Sequence, residues 1–107
     1  MSESKAMKRL RKKLENEVLW IYICYILTSG EKTTHEIKSV LREKFGIKVS
    51  SIKLYSVLYR MEDEGLIKKI ETDPIRYSLT SLGDIEYRKA LIYLEEKLLL
   101  LKNQIGK

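Results

Sequence analysis

The sequence is poor in the residues that staple or interrupt a chain. A single cysteine, Cys24, excludes an internal disulfide framework and suits a reducing compartment. His35 is the lone histidine, and with one cysteine beside it no structural metal site is expected. One proline and five glycines in 107 residues exclude a linker-rich or low-complexity chain. No Gly-rich phosphate loop, no Ser/His/Asp set and no metal-ligand spacing occurs, so the chain is not expected to be an enzyme and no cofactor is implied. Long apolar runs are also missing. VLWIYICYIL, residues 18 to 27, is too short to span a bilayer, and no apolar run precedes it in MSESKAMKRLRKK. A cytoplasmic protein without a membrane partner is therefore expected.

What is present points to one globular unit, residues 1–107. Hydrophobic residues at 44% supply a modest core, and 34% charged residues supply a solvated surface. The formal net charge of +6, with a pI near 9.4, favours an anionic partner such as nucleic acid.

Apolar spacing and the few glycines divide the chain. Residues 5–29 carry apolar side chains at 10, 14, 18, 21 and 25, the spacing of one long helix ending before Gly30. Thr33 followed by Glu36 is a capping-box pattern, and Ile37, Val40, Leu41 and Phe45 give the helix after it a buried stripe up to Gly46. Ile47 to Val49 reads as a short extended stretch. Ser50 or Ser51 can cap a third helix over 51–64, closed by Gly65. LIKKIE and IRYSLT read as two strands joined at Thr72, Asp73 and Pro74. Ser81 with Asp84 opens a last helix over 81–105. Its Tyr87, Leu91, Leu94, Leu98, Leu101 and Ile105 are spaced four, three, four, three, four, a heptad seam.

This order is that of a mainly α winged helix-turn-helix with a small β-hairpin: a first helix (5–29), a helix-turn-helix and wing (33–80) and a long C-terminal dimerisation helix (81–105). The helix over 51–64 buries Leu54, Leu58 and Met61 on one side. The other side carries Ile52, Lys53, Ser56, Tyr59, Arg60 and Asp63, and its small polar and basic members suit entry into a major groove. Lys53 and Arg60 can reach phosphates or guanine edges, and Tyr59 can donate a hydrogen bond. Thr33 and Thr34, at the start of the second helix, are expected to hold a phosphate at its N-terminus.

LYSVLYRMEDEGLI followed by RYSLTSLG resembles the phenolic-acid-decarboxylase-regulator (PadR) group of winged-helix transcription factors. The resemblance runs back through ILTSGEKTTHEIKSVL and covers roughly residues 18 to 101. It implies a homodimeric repressor that binds double-stranded DNA, with C-terminal helices that help build the dimer. It places the DNA-facing role on Ser50, Ser51, Lys53, Tyr55 and Ser56, and the wing role on Arg76. Ser51 and Ile52 stand where the family often has Pro-Gly, the wing is short, and the C-terminal region is a single helix.

The expected partners are thus a second copy of the chain, through Leu91, Leu94, Leu98, Leu101 and Ile105, and an inverted repeat in duplex DNA. No residue pattern names a small-molecule effector. A winged-helix protein-interaction module and a low-specificity chromatin or nucleoid protein are the alternatives. The basic run Lys5, Lys8, Arg9, Arg11, Lys12 and Lys13 fits a DNA-reaching arm or the exposed side of a helix start equally well. Cys24 is expected in the core, His35 on the surface as a neutral side chain, and Trp20, Tyr22 and Tyr25 as aromatic core at a dimer interface.

Overall fold

The computed structural model describes residues 2–105, with the side chains of residues 104 and 105 outside the description. Five helices and three short strands follow in the order α1 (Lys5–Asn16), α2 (Leu19–Leu27), β1 (Lys32–Thr33), α3 (Thr34–Phe45), α4 (Ser51–Asp63), β2 (Ile67–Ile70), β3 (Arg76–Leu79) and α5 (Ser81–Ile105). This is a winged helix-turn-helix, the class expected.

The helix expected over 5–29 is two helices. At the break, the Asn16 side-chain amide donates to the Lys12 carbonyl at 2.7 Å, a local bond that competes with the helical ladder. Val18 then leaves helical geometry, with φ −107° and ψ 20°. Burial explains what the break achieves. α1 is amphipathic but buries nothing, and Leu10 and Leu14 of the expected stripe are half exposed. α2 is apolar almost all round and must be covered on most sides. Once turned away from α1, it buries Leu19, Ile23, Cys24, Ile26 and Leu27.

α2 is the centre of the core. Ile37 and Leu41 of α3, Leu54, Val57, Leu58 and Met61 of α4, Ile67, Tyr77 of β3 and Tyr87 of α5 close around it. Tyr22 and Tyr25 pack edge-on against Phe45 of α3, with ring centroids 4.9 and 5.7 Å away. These two aromatics therefore have partners within the chain. Burial pushes the Cys24 thiol up to about 12, so it is a small core residue and not a reactive one.

The helix termini are built as their residues dictate. The Thr33 hydroxyl accepts from the Glu36 amide at 3.1 Å, and the Glu36 carboxylate accepts from the Thr33 amide at 2.8 Å, completing the capping box. The Ser50 hydroxyl accepts from the Lys53 amide at 3.1 Å and caps α4. Gly46 adopts φ 67° beyond α3, where a left-handed residue is needed. The residues after it form no strand. The Ile47 amide turns back to the Leu41 carbonyl at 2.9 Å and its side chain enters the core, so the apolar step at 47 completes the helix cap.

The third strand of the sheet is instead β1, giving the antiparallel order β1-β3-β2 in place of a two-stranded hairpin. Lys32 faces Tyr77 and Thr33 faces Arg76, while Ile67 to Ile70 pair with Leu79 back to Arg76.

The start of α5 is locked onto the end of α4. Thr80, rather than Ser81, caps it: the Thr80 hydroxyl accepts from the Gly83 amide at 2.9 Å and donates toward the Gly65 and Leu66 carbonyls at 2.6 and 3.0 Å. The Thr80 amide also donates to Leu66 at 3.1 Å. Gly83 lies directly on the Leu66 carbonyl, where a side chain has no room. The Glu-Gly-Leu-Ile step and the Leu-Thr-x-x-Gly run are thus two sides of one joint, which holds α4 at a fixed angle to α5 and the sheet.

Candidate nucleic-acid interface

α4 buries one side in the core and leaves the opposite side exposed. Its crest is formed by Ile52, Ser56 and Tyr59, with Asp63 at the far end, all exposed. Ile52 is 85% exposed and Tyr59 72%, so neither has a packing role in the chain.

Basic groups stand on both flanks of this crest. On one side a depression is lined by Thr34, His35, Lys38 and Arg42 of α3 together with Ser51 and Tyr55 of α4. There the Lys38 ammonium donates to the Ser51 hydroxyl at 3.2 Å, bridging the two helices. On the other side Lys53 shares a hollow with Lys48 and Ser50, with Glu15 at its rim. Further along this flank Arg60 borders a groove that also holds Glu17, Trp20, Glu64 and Glu86. Acidic neighbours partly offset its charge.

The N-terminus of α4 is electrostatically open. Its first turn contains no acidic residue, and Lys38, Lys48 and Lys53 surround it. The free amides and the positive end of the helix dipole therefore add to side-chain charge there. α3 differs. Its first turn contains Glu36, whose carboxylate is held below the usual range by the Thr33 amide and hydroxyl and, more weakly, by Arg76 and Lys32. That negative charge offsets part of the positive end of the α3 dipole.

The expected site residues divide accordingly. Ser50, Ser51, Lys53, Tyr55, Ser56, Tyr59 and Arg60 all lie on the exposed or half-exposed surface of α4 or its cap. Thr34 is half buried beside them, in the same depression as Lys38. Thr33 is 8% exposed, and its hydroxyl accepts from the Glu36 amide in the cap of α3. Arg76 begins the central strand, opposite Thr33 and Ile70 and directly after the wing tip, and its guanidinium is 3.7 Å from the Glu36 carboxylate. The tip itself, residues 71–75, carries Glu71 and Asp73 but no cation, whereas Lys68 and Lys69 of β2 are exposed. Lys38, Arg42, Lys48 and the apolar Ile52 were not among the expected site residues. The spacing of His35, Lys38 and Arg42, three and four apart, was the available signal for the first two.

Along α5, every residue from Leu91 to Asn103 is exposed. Leu91, Leu94, Leu98 and Leu101 of the seam are 42 to 65% exposed, and Leu99 and Leu100 lie beside them. The Ile105 side chain lies outside the described residues. No helix among the described residues is long and apolar enough to cross a membrane.

No protein-family model matches the sequence, and no curated protein matches it. Solved structures do. RosR of H. salinarum is 28% identical with a TM-score of 0.65, the match covering 73% of each chain. A PadR-like transcriptional regulator from Bacillus cereus is 27% identical with a TM-score of 0.59, over 67% of this chain and 44% of that one. A transcriptional regulator from Clostridium thermocellum shares the fold nearly end to end, with a TM-score of 0.72 over 95% of this chain and 97% of that one, at 20% identity. Element order and these likenesses agree: the chain is a winged-helix protein similar to PadR-like and other transcriptional regulators.

Proposed function

We propose that the protein is a homodimeric transcriptional regulator, a repressor, that binds duplex DNA by setting α4 into the major groove. The observation that carries this reading is the exposed crest of α4 between two basic flanks, on a helix whose first turn contains no acidic residue. A major groove accommodates one α-helix, and phosphates border it on both sides. Crest and flanks match that division between base edges and backbone. Ser50, Ser51, Thr34, Lys38 and Lys53 are assigned to the backbone, and Ser56 and Tyr59 to base edges. Arg60 reaches backbone later along the helix. Arg76 acts on the site indirectly, through Glu36 and the cap of α3.

The second copy is supported by α5. A projecting helical end with four consecutive leucines, Leu98 to Leu101, is marginal alone in water and gains stability by burying that side. A two-fold dimer implies an inverted repeat with half-site centres about 10 bp or a small multiple apart. The test is selection of duplexes from a random pool, followed by footprinting and sedimentation of the complex. An inverted repeat bound by two chains is expected. A single asymmetric half-site, or no preference over random competitor, would contradict the reading. In the latter case exposed Ile52, Tyr55 and Tyr59 would favour docking of a protein instead.

A further inference from the structure

The crest of α4 is unusual in what it offers a base pair. It has no Arg, Lys, Asn or Gln, the side chains that make paired hydrogen bonds to guanine or adenine. Its centre presents two hydroxyls, from Ser56 and Tyr59, and one aliphatic side chain, Ile52. Isolated surface isoleucines are ordinary, and exposure alone assigns Ile52 nothing. Its place is the distinguishing fact. It lies in the first turn of the helix, between the flank of Lys38 and Ser51 and the flank of Lys48 and Lys53. A helix held on phosphates by those groups carries Ile52 to the groove floor with nothing of the chain covering it.

Desolvating an aliphatic group against polar base edges is unfavourable, because their donors and acceptors lose water and gain no partner. One major-groove feature is itself apolar, the C5-methyl group of thymine. Ile52 also suits a fixed contact. It is β-branched, so in a helix its side chain holds one strongly preferred rotamer and loses little freedom on binding.

We infer that Ile52 is a specificity-determining residue that reads the thymine C5-methyl group at one position of each half-site. The inference rests on the DNA-binding reading above and fails separately from it.

The test uses the full-length protein and its selected duplex. Each thymine is replaced in turn by deoxyuridine, symmetrically in both half-sites, which removes the methyl group and leaves every hydrogen-bonding edge intact. Wild-type protein should lose affinity at one thymine per half-site, by about fourfold for each methyl group no longer buried. Ile52→Ala should bind the unmodified duplex more weakly and show no further loss from deoxyuridine at that thymine. Its thermal melt should match wild type, since the side chain packs against nothing. An equal methyl effect in wild type and Ile52→Ala would assign the contact to another residue and overturn the inference. No methyl effect at any thymine, with the duplex still preferred over random DNA, would overturn it and leave the DNA-binding reading standing. Absence of any sequence preference would overturn both.

Discussion

Replacing Gly83 by alanine should destabilise the protein, although alanine is the better helix former. Gly83 sits in the first turn of α5 with no positive φ, so its conformation is open to any residue. Conformational entropy alone would make Gly83→Ala stabilising by about 0.4–1 kcal/mol. Packing opposes this. The new Cβ would stand 2.9 Å from the Leu66 carbonyl carbon and 2.8 Å from a Leu79 methyl, and it would overlap the Leu66 oxygen. Carbon atoms rest about 3.5–4.0 Å apart, so the helix start must retreat by roughly 1 Å. That movement strains the two Thr80 bonds to Leu66, at 3.0 and 3.1 Å. Overpacking costs about 1–3 kcal/mol, and each weakened hydrogen bond about 0.5–1.5 kcal/mol. The net expectation is a loss on the order of 3 kcal/mol, or about 10–20 °C in Tm. Urea and thermal unfolding followed by circular dichroism, at matched protein concentration, measure it. Gly46→Ala provides the contrast, because nothing lies within 4 Å and only its φ of 67° opposes a side chain. Its cost should stay near 1 kcal/mol. If Gly83→Ala is neutral or stabilising, the joint between α4 and α5 is not as tight as described.

Three further outcomes follow from the geometry. Leu94→Glu with Leu98→Glu should shift sedimentation from dimer to monomer, and an unchanged dimer would place the interface elsewhere. The Cys24 thiol, buried and raised to about 12, should resist a thiol reagent in the native protein and react only on unfolding; rapid native labelling would contradict its position. The folded-state pKa of Glu36 lies below its ordinary value of 4.5, chiefly through the Thr33 amide and hydroxyl. Its stabilisation is therefore complete above that value and is lost as pH falls through the depressed one, so Glu36→Gln should be less stable at pH 7 and lose less on acidification. An acid transition identical to wild type would show that the capping box does not contribute.

How far the sequence revealed this depends on how local each cause is. The Thr33–Glu36 box, the Gly46 terminus and the buried stripe of α4 are set by residues a few positions apart and read directly, as did the cap of α4 to within the pair Ser50 and Ser51. β1 did not, because two residues have no period and Lys32–Thr33 are a strand only where β3 reaches them. The break after Asn16 was hidden by a helical spacing that continues through it, although the change from a basic to an almost wholly apolar composition marks the place. Ile47 looked like a strand because an apolar residue after glycine fits either a strand or a helix cap. For the interface, a wheel drawn for α4 found its exposed face. The Lys38 flank depends on how α3 lies against α4, a tertiary fact.

The most direct test of the central claim is the salt dependence of DNA binding by Lys38→Ala and Lys53→Ala, one from each flank of the α4 N-terminus. Affinity for the selected duplex and for random duplex is measured across a range of salt concentrations. If both lysines neutralise phosphates beside a helix in the major groove, each substitution removes one contact from each half of the dimer and lowers the slope of log affinity against log salt by about 1.8, or 0.9 per contact. Selected and random DNA should weaken by similar factors, leaving specificity unchanged. Slopes and affinities equal to wild type in both variants would mean that this face of the protein does not meet DNA.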